Sequence, residues 1–329
     1  MTAPREILII KPSSLGDVVH TLPAVALIKK HWPQSRLRWL VNPEWAPLLD
    51  GNPYVDEVLI FPRQKFRGLR GVLQFPSWAR EFGRGVQADL VLDFQCLFRS
   101  GFIARQCRAA GGRILGLSDA REGAGFFYDQ KADVTGIEHA VDRYLALVAA
   151  LGISTKSPLE WPLPEGSAPA GFAEATPFIL LHPFSRGAGK SLSAADVTRF
   201  CHALAPMRVV LAGRSEEAVP FIDNVENLLN RTTLAELVWL IRRAAFVVSV
   251  DSGPMHIAAA LTSRLLSIHT WSDPRKVGPY RPEAWIWQNG TLFQMKDIAY
   301  PAQHRSAPNI SDVAACIGAQ LSIPSDHSS

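Results

Sequence analysis

The stretch Val247–Leu261, VVSVDSGPMHIAAAL, constrains the fold of this chain more than any other. A continuous apolar run breaks at Asp251-Ser252-Gly253-Pro254 and resumes with helical spacing through Met255, His256 and the alanines. An uninterrupted apolar strand is covered on both faces, so it belongs to a parallel sheet, and the turn delivers the chain into a flanking helix. A helix start of this kind presents unpaired N–H groups and a partial positive charge, which suit a phosphate or diphosphate. A second reading stands beside it with equal weight: Asp251 and Ser252 cap the helix, and Gly253 permits the turn.

The same alternation runs along the chain. Ile7-Leu8-Ile9-Ile10 is a buried strand, followed by the turn Pro12–Asp17 and a helix from about Val18 through Lys30. Strands are predicted at Leu37–Val41, Val55–Phe61 and Ala88–Phe94, and helices near Ser100–Ala110 and over His139–Leu151. Five prolines (Pro158, Pro162, Pro164, Pro169, Pro177) then mark a linker. Beyond it come a strand at Phe178–His182, a helix from about Ser193 to Leu204 and a strand at Arg208–Ala212. A helix after Ser215, a helix over Thr233–Ala244, a strand at Phe246–Val250 and a last helix at Ile310–Leu321 follow. The pattern predicts an α/β fold of two Rossmann-like domains with parallel sheets facing a central cleft. Their bounds are residues 1–160 and 178–329, with the linker at 161–177 and the last helix able to pack back on the N-terminal domain. Ligands of open α/β sheets sit beyond the C-terminal strand ends, so the strand-end loops should line that cleft.

At 329 residues, 47% of them hydrophobic, the chain exceeds what one core usually serves. No segment approaches the ~18 apolar residues of a membrane span, and the N-terminus lacks the form of a signal peptide, so the expected location is cytoplasmic. Cys96, Cys107, Cys201 and Cys316 have no metal or redox spacing and read as buried thiols. A net charge of +4 is too small to imply nucleic acid. It is unevenly placed, however: Arg63, Lys65, Arg67, Arg70, Arg80 and Arg84 face a single acid, Glu81, between Pro62 and Gly85. Like charges this close repel, so an anionic partner is the natural compensation, with a solvated loop as the alternative. The chain has no G-x-G-x-x-G after its first strand, no P-loop and no G-x-S-x-G. Hydride transfer, P-loop phosphoryl transfer and serine hydrolysis of the usual kinds lose their support.

Two segments, KPSSLGDVVHTLPA at Lys11–Ala24 and SVDSGPMHIAAAL at Ser249–Leu261, resemble the signature motifs of the ADP-heptose:lipopolysaccharide heptosyltransferases, glycosyltransferase family nine. Arg121-Glu122 before Phe127-Tyr128, Glu138-His139-Ala140-Val141, the loop Leu181–Lys190 and Thr233–Leu237 match in order and spacing, and SSLGDVVHTLPA is closest to the type that adds the first heptose to Kdo. The family pattern is broken where Leu192 replaces a tryptophan and where Leu261–Leu265 lacks Gly-x-Pro. The resemblance implies a GT-B fold, an acceptor-binding N-terminal domain, a donor-binding C-terminal domain, and metal-independent inverting transfer with no cofactor besides the ADP-heptose donor. It also implies a peripheral enzyme at the cytoplasmic face of the inner membrane, acting on an anionic lipid-linked saccharide and not on nucleic acid.

Carried over residue by residue, the resemblance makes Asp17 the catalytic base, whose rival role is that of a helix-start carboxylate. It assigns Lys190, Ser185, Asp251, Ser252, Gly253 and His256 to the donor, with Lys190 and backbone N–H groups meeting the diphosphate charge. A surface lysine and a buried structural histidine are the competing readings for Lys190 and His256. Glu216, or its neighbour Glu217, would meet the ribose, and Thr232 would lie by the adenine. Ser14, Gly16, Arg63, Lys65, Arg67 and Arg121 fall on the acceptor side, where phosphates and carboxylates need cations. Two rivals remain: a family member using another donor or acceptor, and a two-domain protein that binds a nucleotide or sugar without turnover.

Overall fold

The computed structural model describes residues 3–173, 176–185, 189–298 and 310–321. Its contacts divide the chain into two compact units, Met1–Pro164 and Glu165–Ser329, the division falling inside the proline-rich stretch.

The first unit is built from β1 (Glu6–Ile10), α1 (Leu15–His31), β2 (Arg36–Val41), β3 (Glu57–Ile60), α2 (Gly68–Gly85), β4 (Ala88–Asp93), α3 (Phe98–Cys107), β5 (Arg108–Leu117), β6 (Gln130–Ala132) and α4 (Ala140–Ala150). Its strands run parallel in the order β3-β2-β1-β4-β5-β6. Ile7 to Ile10 are fully buried, as a central strand covered on both faces requires. Helix α1 is buried without a break from Val18 to Ile28, because α4 packs on it.

Helix α2 is the main departure from the sequence-based expectation. The basic stretch read as a charged segment holds an 18-residue helix with Pro76 inside it. Gly71, Phe75, Ala79 and Gly83, four residues apart, form its buried line. Phe61, Phe66, Phe75, Trp78 and Phe82 make the aromatic cluster beneath, with ring centroids 5.0–6.2 Å apart.

The second unit comprises β7 (Phe178–His182), α5 (Ala194–Ala203), β8 (Arg208–Leu211), β9 (Val225–Asn227), α6 (Leu234–Arg243), β10 (Phe246–Val250), α7 (Gly253–Leu261), β11 (Leu265–His269), α8 (Pro274–Val277), β12 (Trp285–Gln288), β13 (Thr291–Gln294) and α9 (Ile310–Leu321). The sheet order is β13-β12-β11-β10-β7-β8-β9, parallel except for β13. No helix follows Ser215: residues 213–224 form a loop that returns to β9, with Pro220 inside it and Ile222 reaching the core. The β12–β13 hairpin also escaped the sequence reading. Helix α9 packs on α5, where Val313, Ala314 and Ile317 join Phe200, Val248 and Trp287 in the core of this unit. Leu192, in the place of the family tryptophan, is buried in the same core.

Candidate active site

In the first unit the chain moves from β1 outward through β2 and β3, then returns to β4 on the other side of β1. This reversal opens a crevice at the C-terminal ends of β1 and β4, where α/β sheets hold their ligands. The loop after β1 leads into it and carries Asp17. Ser14 is the N-cap of α1 and Asp17 its third residue. The Ser14 N–H and hydroxyl both donate to Asp17 Oδ2, at 2.9 and 2.7 Å. Asp17 Oδ1 instead accepts from the Tyr144 hydroxyl at 3.0 Å and lies 3.5 Å from Lys11 Nζ. Asp17 is therefore a helix-start carboxylate held from two sides, one oxygen in the cap of α1 and the other on Tyr144 beside Lys11.

The Asp17 side chain is 36% exposed, while Lys11 is buried. Burial raises the Asp17 carboxyl, but the Lys11 ammonium, the two Ser14 bonds and the Tyr144 hydroxyl outweigh it and hold the group below its ordinary value. Lys11 Nζ also donates to Phe94 O at 3.0 Å and sits over the Tyr144 ring, 5.1 Å from its centroid. At the end of β4, Asp93 is fully buried and accepts from the Gln95 and Cys96 N–H groups, the Ser100 hydroxyl and the Tyr128 hydroxyl. This network fixes the turn after β4, next to the end of β1.

Gly16 is buried in α1 and Ser14 is exposed beside Asp17. Arg63 and Lys65 lie in a single 3-10 turn after β3, Arg67 follows it, and Arg121 lies in the loop after β5. Both β3 and β5 are two strands from β1, so these cations follow strands on opposite sides of β1. All four are exposed, and none is ion-paired among the described residues.

The second unit has the same reversal between β10 and β7. Lys190 Nζ, from the loop after β7, meets Asp251 Oδ2, after β10, at 2.5 Å. The Asp251 side chain is 8% exposed. Burial would raise its carboxyl, but the His269 ring, the Lys190 ammonium and the Ser272 hydroxyl lower it further. Asp251 therefore faces Lys190 and does not cap α7. Ser252 is the N-cap and makes no side-chain cap bond. Its hydroxyl lies 3.1 Å from Ser249 Oγ and 3.4 Å from His182 Nδ1. Gly253 is the first residue of α7 and not a left-handed turn residue, so the expected need for glycine freedom at the turn is absent. His256 is buried in the first turns of α7. The Ser252 side chain thus leaves the N–H groups at the start of α7 uncapped.

Loops around this feature are tied together. Ser185 N–H donates to Ser191 Oγ at 2.9 Å, and Thr270 Oγ1 donates to Gly189 O at 2.7 Å. Residues 186–188 lie outside the described residues. His269 is wholly buried between Ser267 Oγ at 2.8 Å and Ser272 Oγ at 3.0 Å. Trp271 is 55% exposed, its ring 5.9 Å from Lys190 Nζ. Gly213 has φ +128°, and a Cβ there would come 3.0 Å from His182 Nε2, so only glycine brings this loop against the β7 end. Glu217, Asn227, Asn230 and Arg231 line a cavity of about 310 Å³ that Glu216 does not line. Thr232 is half-buried just before α6. Among the described residues, no three His, Cys, Asp or Glu side chains gather as a metal site.

Sequence reasoning missed Lys11, Tyr144 and His269. Lys11 lies inside the first motif, and its only other mark is a cation at the end of an apolar strand. Tyr144 is 127 residues from Asp17 and reaches it only because α4 packs on α1.

Two Rossmann-like units, each with a polar loop at its point of strand reversal, define the GT-B class of glycosyltransferase folds. The family model for glycosyltransferase family 9 (heptosyltransferase) matches residues 80–305. The chain belongs to that family. It is 30% identical over 294 residues to lipopolysaccharide heptosyltransferase 1 of Pseudomonas aeruginosa, covering 83% of this chain and 81% of the relative. It is 24% identical to the lipopolysaccharide core heptosyltransferase OpsX of Haemophilus influenzae, with 84% and 82% covered. Among solved structures, a family 9 glycosyltransferase from Veillonella parvula shares the fold with a TM-score of 0.74 at 18% identity, over 96% and 97% of the two chains. E. coli heptosyltransferase WaaC with ADP-2-deoxy-2-fluoro heptose does so with a TM-score of 0.71 at 22% identity, over 96% and 98%.

Proposed function

We propose that this protein is an inverting, metal-independent heptosyltransferase of the type that adds the first heptose, moving heptose from ADP-heptose to the Kdo/inner-core region of lipopolysaccharide. The observation that carries the chemistry is the setting of Asp17: a part-exposed carboxylate at the end of β1, with one oxygen engaged in the helix cap, the other held by the Tyr144 hydroxyl, and the Lys11 ammonium beside it. In this reading an acceptor hydroxyl attacks the anomeric carbon from the face opposite ADP and gives its proton to Asp17. The bond from the anomeric carbon to the phosphate oxygen breaks on the other side. Charge growing on ADP is met by Lys190 and by the N–H groups at Ser252 and Gly253. A depressed carboxylate is a weak base, so placement of the reacting groups and an oxocarbenium-like transition state supply much of the acceleration.

Asp251 exchanges part of its contact with Lys190 for sugar hydroxyls, and Ser185 and His256 complete the donor side. Glu217, which lines the cavity beside Arg231, suits the ribose better than Glu216, with Thr232 near the base. Arg63, Lys65, Arg67 and Arg121 bind the phosphates and carboxylates of a lipid-linked acceptor, with Ser14 and Gly16 shaping the floor.

The same face supports peripheral contact with an anionic membrane surface at the cytoplasmic side. Leu69, Val72 and Leu73 on α2 are 78%, 50% and 72% exposed, and Arg63, Lys65, Arg67 and Arg70 surround them in sequence. No helix among the described residues is long and apolar enough to cross a membrane. The defining experiment follows ADP release from ADP-heptose with and without a Kdo-containing acceptor. Acceptor-dependent release is expected, while binding of the donor without turnover would make the protein a nucleotide-sugar binder instead.

A further inference from the structure

Asp17 has two oxygens in different surroundings. Oδ2 closes the first turn of α1 through both the N–H and the hydroxyl of Ser14. Oδ1 has the Tyr144 hydroxyl at 3.0 Å as its directional partner, and Lys11 Nζ at 3.5 Å as a nearby charge. Tyr144 stands on α4, which packs along α1, and is 4% exposed. Its ring meets Phe94 edge-on, with centroids 5.4 Å apart at 87°, and lies under Lys11 Nζ. Packed on both sides, the ring holds its hydroxyl in one place.

We propose that Tyr144 is a positioning residue for the transfer reaction: its O–H on Oδ1, opposite the Ser14 bonds on Oδ2, fixes the orientation in which the Asp17 carboxylate receives the acceptor proton. The inference rests on Asp17 being the base. The groups facing the carboxylate are Lys11 from the end of β1, Ser14 from the start of α1 and Tyr144 from α4. Lys11 supplies charge and Ser14 holds the other oxygen, which leaves the hold on Oδ1 to Tyr144. Burial and the Asp17 charge push the Tyr144 phenol well above its ordinary value, so it remains a donor throughout the working pH range.

The test is Tyr144→Phe, which keeps the ring against Phe94 and Lys11 and removes only the donor. Turnover should fall roughly ten-fold or more, with KM for donor and acceptor little changed. The acid limb of kcat/KM should move to higher pH, because a carboxylate that loses a donor is easier to protonate. A ring that only fills space would move neither the limb nor kcat once the melting temperature is matched to wild type. In an Asp17→Asn background, Tyr144→Phe should have no further effect on residual turnover, since its partner charge is gone. If Asp17→Asn destroys turnover while Tyr144→Phe matches wild type in kcat and pH profile, the positioning role is overturned and the base stands. If Asp17→Asn keeps near-normal turnover, both fall together.

Discussion

Asp17 meets opposing demands. Its depressed carboxyl keeps it charged and ready to accept a proton at neutral pH, yet the same stabilisation makes it a weak base. Replacement by asparagine keeps the Oδ1 acceptor and the bulk near the cap while removing the charge. Asp17→Asn is therefore expected to preserve donor affinity, measured by ADP titration, and to lower turnover by at least ~10²-fold. Near-normal turnover would remove Asp17 from the mechanism. Lys190 poses a different question, because it is already partnered by a buried carboxylate. Lys190→Ala should weaken ADP binding along with turnover, and should also lower the melting temperature, since Asp251 would be left charged and unpaired. Wild-type activity should survive excess EDTA. Strict dependence on added Mg²⁺ would show that a metal, and not the lysine with the α7 amides, meets the diphosphate.

At the scale of elements, α2 does two jobs on opposite faces. Its buried line is built for close approach: a Cβ on Gly71 would come within 2.5 Å of the Phe66 backbone, so even alanine there requires the 3-10 turn to shift. That turn carries Arg63 and Lys65, which couples the packing of α2 to the placement of the acceptor cations. Its outer face carries Leu69, Val72 and Leu73 at the i, i+3, i+4 spacing of one helical stripe. Two variants separate these faces. Leu69→Ser/Val72→Ser/Leu73→Ser should lose co-sedimentation with phosphatidylglycerol vesicles while keeping KM for a water-soluble acceptor fragment. Arg63→Ser/Lys65→Ser/Arg67→Ser should raise KM for the intact anionic acceptor and leave that for the donor unchanged. Equal vesicle binding by the first variant and wild type would reduce the apolar stripe to ordinary exposed surface, and an unchanged acceptor KM in the second would do the same for the cations.

For the molecule as a whole, the second unit carries an acid-sensitive element. His182 and His269 are buried, and burial pushes both rings down to about 4 from an ordinary value of 6.5. Between those values the unfolded chain binds protons that the fold excludes. Their stabilising contribution is thus complete above pH 6.5 and is lost as pH falls from 6.5 toward 4. With both rings neutral in the fold, stability should drop by up to about 2.7 kcal/mol per pH unit in that window. Asp17 and Asp251, whose carboxyls are depressed, contribute above their ordinary values and are lost only at lower pH. A melting temperature that stays flat from pH 7 to pH 5 would show that these histidines are protonated without cost. The expected curve falls first through the histidine window and then again through the carboxylates.

Much of this was legible in residue order. The uninterrupted apolar runs at Ile7–Ile10, Phe178–His182 and Phe246–Val250 determined the central strands, since chain of that kind is stable only when covered on both faces. The polar turns after them placed Asp17, Lys190 and Asp251 at strand ends, and the two motifs pointed to a family that the comparisons bear out. What local pattern could not decide was which side chains meet. Helix α2 was hidden by glycines, a proline and a run of cations, because its fit depends on an aromatic cluster drawn from three separate segments. Loop 213–224 was overread as a helix, because Pro220 interrupts it and Ser215 bonds to Glu217 and to the distant Asn230 instead of to a helical turn. Only the tertiary structure set Asp251 on Lys190 instead of on the helix start, and only it brought Tyr144 to Asp17. The physical reason is that propensity and periodicity act over a few residues, whereas the charge state and aim of a site carboxylate are set by groups delivered from distant strands and helices.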